Sequence, residues 1–257
     1  MNTSTFNNSI RVAGILALLT VFTIGLNGCK KEDPVEEEPE IPETPAVQEN
    51  PTPTIESGAG SLVAVKSSTT QEVPGFGTVE IPMNIAVAVF FDGTDYSSFL
   101  NAGTVSCETE ELSINANNSY TFTPGTTNAE GIDFQGQIDW DVTGNGSVGA
   151  FNHTVGIGFP TVGDINSGTT VSLSNGYTLS VPSITGADSV IFMVGGVLFT
   201  EPGSTTSHTF SSSDLSGLTA GTSVAQVAAY KTEQATVGGG DYWFVNETVE
   251  TLSVTLE

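Results

Sequence analysis

Residues 132–142 read Ile132-Asp-Phe-Gln-Gly-Gln-Ile-Asp-Trp-Asp-Val142, and this stretch decides the fold. The apolar residues are Ile132, Phe134, Ile138, Trp140 and Val142, and aspartate and glutamine alternate with them around Gly136. A period of two places neighbouring side chains on opposite faces of a strand, whereas a helix would spread these residues around its surface. The pattern therefore predicts an antiparallel strand with one dry face and one solvated face.

The same alternation recurs on both sides of this stretch. Before it, apolar residues occupy every second position over residues 79–89, and after it Leu252, Val254 and Leu256 predict a final strand. Residues 189–194 and 197–199 are apolar on both faces, which predicts a central strand or a hairpin about Gly195-Gly196, and residues 212–218 fit one short helical turn. Only 13% of the residues are charged, and glycine is frequent. Short strands joined by many turns predict an all-β protein.

Turn signals after Phe159-Pro160 divide this β region into two modules, residues 60–159 and 160–257. Gly103-Thr-Val-Ser, followed by Asn118-Ser-Tyr-Thr-Phe, weakly echoes Gly168-Thr-Thr-Val-Ser, followed by Asn175-Gly-Tyr-Thr-Leu. The echo indicates two similar sandwiches in tandem. One large β-sandwich is the alternative.

A passage in the second module resembles a known family. Leu218-Thr-Ala-Gly221-Thr-Ser-Val-Ala-Gln-Val resembles the turn-to-strand passage of immunoglobulin-like and fibronectin type III sandwiches. That family usually has a tyrosine after the turn, where this chain has Val224. The resemblance implies two tandem immunoglobulin-like antiparallel β-sandwiches and implies no activity.

The first 28 residues carry the pattern of a secretory signal. A polar start with one positive charge, Arg11, precedes an apolar run over residues 12–26. A membrane-spanning helix needs about 20 apolar residues, so the shorter run favours a cleaved signal over an uncleaved anchor helix. Residues 29–59 form an acidic, proline-rich segment, in which like charges repel and proline disfavours helix and sheet. This segment is predicted to be a disordered linker.

Leu26-Asn27-Gly28-Cys29 resembles the lipobox of bacterial lipoproteins. The resemblance implies cleavage before Cys29 and the attachment of fatty acyl chains such as palmitate to that residue. Lys30-Lys-Glu-Asp33 resembles a surface-export signal of Bacteroidota lipoproteins, and the whole chain resembles their two-sandwich lipoproteins. These resemblances imply a lipid-anchored outer-membrane protein that faces the cell exterior.

The formal net charge of −24 limits the classes of binding partner that can be expected. A surface of this sign repels phosphate backbones and anionic lipid headgroups, which excludes nucleic acid as an expected partner. The membrane contact is therefore expected through the lipid on Cys29. A glycan or an extracellular protein is the expected ligand.

No combination of residues predicts catalysis. His153 and His208 lie in different halves, outside any metal-binding spacing, and no Gly-x-Ser-x-Gly elbow occurs. Cys107 lies in a strand-like stretch and is expected to be a buried small residue. The sequence therefore predicts a protein that is not an enzyme. A glycosidase that uses Asp139 and Asp141 is a weaker alternative, because acids on a solvated sheet face stay ionised.

Calcium is the one metal that the acids suggest. Asp139, Asp141 and Asn145 place oxygen ligands at spaced positions before Gly146, vaguely like a calcium loop, but the distal bidentate glutamate is missing. A hairpin turn at Asn145-Gly146 explains the same residues. Apart from the lipid, no cofactor is expected, and calcium remains a hypothesis.

Aromatic residues provide the candidate ligand-binding site. Tyr242-Trp243-Phe244 follows a glycine loop, and alternation places Trp243 opposite its two neighbours. An exposed ring there suits stacking on a sugar or a protein, and burial of Trp243 and Trp140 is the competing interpretation. The leading hypothesis is non-enzymatic adhesion or ligand binding. The alternative is a carbohydrate-binding accessory lipoprotein of polysaccharide uptake, with Trp243 and Tyr242 as its platform.

Overall fold

The computed structural model describes residues 58–73, 77–92, 96, 98–125 and 128–257. Over these residues the fold is all-β, which confirms the predicted class. The one helical element described is a short 3-10 helix at Asp214–Gly217, within the stretch predicted to form a helical turn. No helix among these residues is long and apolar enough to cross a bilayer. The signal, Cys29 and nearly all of the linker lie outside the described residues.

Seventeen strands are described, numbered here in chain order. They are β1 (Gly60–Val73), β2 (Gly77–Phe90), β3 (Val105–Cys107), β4 (Glu110–Glu111), β5 (Ser113–Ile114), β6 (Tyr120–Phe122), β7 (Ile138–Val142), β8 (Phe151–Val155), β9 (Thr161–Val162), β10 (Thr170–Val171), β11 (Tyr177–Ser180), β12 (Ile184–Thr185), β13 (Ser189–Val194), β14 (Val197–Pro202), β15 (Ser207–Phe210), β16 (Gly221–Val237) and β17 (Gly240–Leu256).

One nine-stranded sheet runs through both predicted modules. Its strand order is β14-β13-β16-β17-β1-β2-β6-β5, and β10 also pairs with β17. The first and last long strands, β1 and β17, pair in parallel from Gly60↔Tyr242 to Thr70↔Leu252. The remaining strands form a four-stranded sheet, β4-β3-β7-β8, and the two-stranded pairs β11-β15 and β12-β9.

The two faces of this sheet carry different clusters of apolar residues. On the front face, a first core packs against the four-stranded sheet through residues such as Phe90, Trp140 and Phe244. A second core packs against the small pairs and the 3-10 helix through residues such as Phe210 and Leu215. The back face carries a third cluster, centred on β17. The long strands β16 and β17 contribute to all three clusters, because alternate residues point to opposite faces.

The strand predicted over residues 132–142 is about half as long in the structure. Only Ile138–Val142 forms a strand, although the burial alternates as predicted from residue 132 onward. The reason is that the preceding segment pairs with the other layer: Asn84 on β2 accepts a bond from the Ile132 N–H at 3.2 Å and donates its N–H to the Glu130 carbonyl at 2.8 Å. The chain then crosses to the four-stranded sheet before β7 begins.

The two echoing motifs make the same hydrogen bond. The Tyr120 hydroxyl donates to the Gly103 carbonyl at 3.0 Å, and the Tyr177 hydroxyl donates to the Gly168 carbonyl at 2.7 Å. Both tyrosines are buried, where a hydroxyl needs a partner. The sequence echo therefore corresponds to one shared hydrogen bond, made once in each core, although the strands of the two motifs pair with different sheets.

The contact between residue 131 and β2 yields a prediction. Gly131 has a φ of 86°, and a Cβ built there would overlap the Asn84 carbonyl. Gly131→Ala is therefore expected to destabilise the protein by about 2 kcal/mol or more, measured by chemical denaturation. Gly136→Ala is the matched control, because a Cβ there meets no atom within 4 Å. Equal stability of the two variants would contradict the role assigned to Gly131.

Candidate ligand-binding groove

A polar belt separates the two front-face cores. Along β17, Tyr242 and Phe244 belong to the first core, and Val254 and Leu256 belong to the second. The residues between them that point the same way include Asn246, Thr248 and Glu250. A strand that is apolar at both ends thus becomes polar on this face in the middle. Both cores end at the belt, which leaves space between them.

The connection between the two halves crosses over this belt. Strand β8 ends at Val155 and β9 begins at Thr161, so residues 156–160 span the gap. The Asn246 side-chain amide donates to the Ile157 carbonyl at 2.8 Å, and the Thr248 hydroxyl donates to the Pro160 carbonyl at 2.7 Å. The belt therefore holds the connection in place by hydrogen bonds to its backbone, which fixes the position of Phe159.

A groove of about 390 Å³ opens beside the connection. Its size falls within the range of small-molecule sites, about 300–1,000 Å³. The lining combines aromatic, hydroxyl, amide and ammonium groups: Lys66, Phe134, Gln135, Gly136, Phe159, Pro160, Thr161, Val162 and Thr248. The groove thus offers the face of an aromatic ring together with hydrogen-bond donors and acceptors.

Lys66 and Phe159 are the most distinctive pair in the groove. The Lys66 ammonium lies 4.7 Å from the centroid of the Phe159 ring, which is a cation–π contact. Phe159 in turn packs against Phe134, with ring centroids 5.2 Å apart. Lys66 and Lys231 are the two lysines of the described chain, which contains no arginine, so a lysine in this groove stands out against the strongly acidic background.

A largely buried carboxyl, Glu250, lies opposite Ser68 of β1, on the same face of the sheet as Lys66. Burial, followed by the negative charges of Glu80 and Asp164, raises the pKa of Glu250 to about 7, although hydrogen bonding with Ser68 acts in the opposite direction. In the structure the Ser68 hydroxyl donates its hydrogen to Glu80, at 2.8 Å. Glu250 is therefore partly protonated near neutral pH. The charge of the polar belt at Glu250 changes in that pH range.

The raised pKa predicts how stability depends on pH. A carboxyl with a higher pKa in the folded chain contributes stability fully below about pH 4.5, and loses it as pH rises through about 7. Glu250→Gln is therefore expected to reduce the fall in melting temperature between pH 5 and pH 8. The exposed Glu111→Gln removes one charge elsewhere and serves as the control. Parallel pH curves for wild type and Glu250→Gln would contradict the assignment.

The two histidines form hydrogen bonds with glutamates outside the groove. His153 Nε2 lies 2.7 Å from Glu233 Oε1, and its ring stacks on Phe244 with centroids 4.2 Å apart. His208 Nδ1 lies 2.9 Å from Glu201 Oε1 and stacks on a neighbouring phenylalanine. In both cases the hydrogen-bond partner of the ring nitrogen is a glutamate carboxylate.

Cys107 lies in the first core, where it was expected. Burial, followed by the negative charges of Glu108 and Asp139, raises the pKa of its thiol far above the usual range. Because the thiolate is the reactive form, this cysteine is chemically inert.

The structure corrects the predicted aromatic platform at Tyr242. Tyr242 is 2% exposed and packs between Phe90 and Phe151, with centroids 5.9 and 4.8 Å away, so it cannot stack on a sugar. Trp243 points to the back face and is partly exposed, as alternation requires. Trp140 is buried in the first core. The choice between faces depended on which residues pack against β17, which local sequence does not encode.

The weak calcium candidates lie on the exposed face of β7 and in the following turn. Asp139 accepts a hydrogen bond from Thr154 at 2.6 Å, Asp141 accepts one from Asn152, and Asn145 donates to Asn101 at 3.1 Å. Asn145 and Val148 exchange backbone bonds, which is the hairpin-turn interpretation. Within the described chain no group of three or more acids, histidines or cysteines is placed to hold a metal ion.

Sequence reasoning missed the groove. Its residues Lys66, Phe159 and Thr248 come from three distant parts of the chain, and no local motif links them. The one available signal was the polar run in a final strand that is otherwise apolar, from Asn246 to Glu250.

Comparison with known proteins gives little information about this chain. No protein-family model and no curated protein matches it. Among solved structures, it is similar to one presented as structural insight into host cell surface retention of a 1.5-MDa bacterial ice-binding adhesin, at 19% identity and a TM-score of 0.23. The match covers 81% of this chain and 66% of that chain, just under two thirds. At this score the similarity carries no argument about function.

Proposed function

We propose that this chain is a lipid-anchored protein of the outer membrane that faces the cell exterior and acts in adhesion or ligand binding without catalysis. The observation that carries the proposal is the order of its parts: a lipobox-like Leu26-Asn27-Gly28-Cys29, then an acidic proline-rich segment, then an all-β body. This order suits a passive module held away from a membrane. An extended proline-rich segment covers about 3.1 Å per residue, so residues 29–59 reach several nanometres.

The front-face groove supports a binding role. It combines the Phe159 ring, the Lys66 ammonium and polar groups such as Gln135 and Thr161 in a cavity of ligand size. The described histidines pair with glutamates elsewhere, and the buried thiol of Cys107 is inert. Binding, rather than turnover, is therefore the role that these residues favour.

Protease treatment of intact cells tests the location. The all-β body is expected to disappear from cells treated with a general protease, while a periplasmic marker protein stays intact. Cleavage is expected within residues 30–57, because that segment precedes the first described strand. Survival of the whole chain on intact cells, with cleavage only after cell lysis, would overturn outward display.

A second candidate, a carbohydrate-binding accessory lipoprotein of polysaccharide uptake, is favoured by the groove itself. Sugars stack their apolar face on aromatic rings and hydrogen-bond through their hydroxyls, and the Phe159 ring lies beside Gln135 and Thr161. In this proposal the platform is Phe159 and not Tyr242.

A glycan array followed by calorimetric titration tests this candidate. Phe159→Ala and Gln135→Ala are each expected to weaken binding at least about tenfold, which corresponds to about 1.4 kcal/mol. Trp243→Ala is the matched control, because this residue points to the opposite face. Loss of binding in the Trp243 variant alone would assign the ligand to the back face, and binding by none of the glycans would reject the candidate.

A further inference from the structure

The charge inside the front-face groove is opposite in sign to the charge of the chain. Among the described residues that line the groove, Lys66 carries the charge, and the others are aromatic, aliphatic, hydroxyl or amide residues. In the whole chain, by contrast, 29 acidic residues outnumber five lysines and arginines. At physiological ionic strength charges are screened over about 8 Å, so the groups that line a groove affect a bound ligand more than distant charges do.

Lys66 has no acidic partner among the residues that the structure describes. The basic side chains that contact a carboxylate there are His153 and His208, whereas the Lys66 ammonium lies 4.7 Å from the centroid of the Phe159 ring. A cation–π contact uses the positive charge, and it leaves N–H groups on the other side of the ammonium able to donate. The groove therefore contains a cation whose hydrogen bonds the described residues do not use.

The surrounding structure holds this cation in place. Phe159 belongs to the connection between β8 and β9, and Asn246 and Thr248 donate hydrogen bonds of 2.8 and 2.7 Å to the backbone of that connection. Thr248 is also the partner of Lys66 in the pairing of β1 with β17. Lys66 is half-buried, and its ammonium rests on a ring that is itself fixed. A cation positioned in advance loses less conformational freedom on binding than a lysine on an open surface.

Acidic residues approach the groove but do not line it. On one side Asp133 accepts a hydrogen bond from the side chain of Gln135. Further along β17, burial and the charges of Glu80 and Asp164 raise the pKa of Glu250 to about 7, so this carboxyl has only part of its charge at neutral pH. None of these acids is a lining residue. The arrangement favours a ligand with one negative group beside Lys66 and an uncharged body, because further negative charges on the ligand would meet the acids.

We propose that the groove binds a sugar that carries one negatively charged group, and that Lys66 selects this group by donating hydrogen bonds to it. Gln135 and Thr161 supply hydrogen bonds for the hydroxyls of the sugar. An ammonium is a compact point charge, so it suits the carboxylate of a uronic acid and a sulfate ester alike. The inference rests on the proposed carbohydrate-binding role of the groove and specifies the class of sugar.

Calorimetric titration of the purified protein with matched sugars tests the proposal. The probes are short oligosaccharides that each contain one uronic acid, the methyl ester of each of them, and short oligosaccharides with one sulfate ester. A free acid is expected to bind at least about fivefold more tightly than its methyl ester, because a hydrogen bond to a charged acceptor is stronger than one to a neutral acceptor. Tighter binding of the sulfated sugars than of the acids would support the proposal and identify sulfate as the anionic group.

Lys66→Met tests the residue assigned to the anion. This change keeps an unbranched apolar stem and removes the charge, so the acid and its ester are expected to bind within about twofold of each other. Lys231→Met is the matched control, because it removes the same charge from the other lysine of the described chain, which does not line the groove. This variant is expected to keep the preference of the wild type.

The outcomes separate this proposal from the carbohydrate-binding role. Equal affinity of the wild type for acids, esters and sulfated sugars would overturn the anionic preference and leave the carbohydrate-binding role in place. Binding by no glycan, acidic or neutral, would overturn both. A preference that Lys66→Met retains would overturn the role of Lys66. Circular dichroism compares the fold of each variant with the wild type, and the ratio between acid and ester in the wild type needs no variant.

Discussion

Replacement of Cys29 by serine is expected to release the protein from the membrane fraction. Each buried methylene of an acyl chain contributes about 0.8 kcal/mol, so two or more chains hold a protein stably and their loss removes the anchor. Wild type is expected in the detergent phase after phase partition of cell extracts, and Cys29→Ser in the aqueous phase. Mass spectrometry of the wild-type amino terminus is expected to find an acylated Cys29.

Cys107→Ala is the matched control for this experiment. It removes the other cysteine, which is buried in the first core and lies far along the chain from the lipobox. This variant is expected to stay in the detergent phase. Equal membrane retention of Cys29→Ser, or an intact Met1 on the isolated protein, would remove the basis of the proposed location.

Trp140→Ala is expected to destabilise the fold by about 3–5 kcal/mol, the usual loss for a large aromatic residue removed from a core. Trp140 is 2% exposed, and on β7 it lies between Cys107 of β3 and His153 of β8. Its removal leaves a cavity between the four-stranded sheet and the long sheet. Urea denaturation monitored by circular dichroism measures the effect.

Leu198→Ala provides the comparison, because that side chain is 52% exposed. A surface truncation of this kind is expected to change stability by no more than about 0.5 kcal/mol. If both variants unfold at the same urea concentration, Trp140 does not belong to a tightly packed core and the layer arrangement on the front face is wrong.

Local sequence predicted the strands well where the alternation was strict. Residues 79–89 fall within β2, and Gly195-Gly196 forms the turn between β13 and β14. The stretch from Ile132 to Val142 buries the predicted side chains, but only its second half is a strand. Burial follows from side-chain chemistry at each position, whereas a strand also needs a neighbour to pair with, and the partner of residues 130–132 is Asn84.

The candidate site could not be predicted in the same way. Alternation places Tyr242 and Trp243 on opposite faces, but both faces of the sheet bury apolar residues, so the pattern alone does not say which side chain is accessible. The groove depends on Lys66, Phe159 and Thr248, which meet because β1 pairs in parallel with β17 and residues 156–160 cross over that pair.

The sequence by itself determined the period of the strands, the turns that end them, the acidic charge and the lipobox-like start, because each of these depends on neighbouring residues alone. Only the tertiary structure decided that one sheet joins both halves, that a polar belt divides its front face, and that Lys66 lies against Phe159 in the groove. These features arise from pairing between the first and last long strands, and the free energy of that pairing comes from contacts between residues nearly two hundred positions apart.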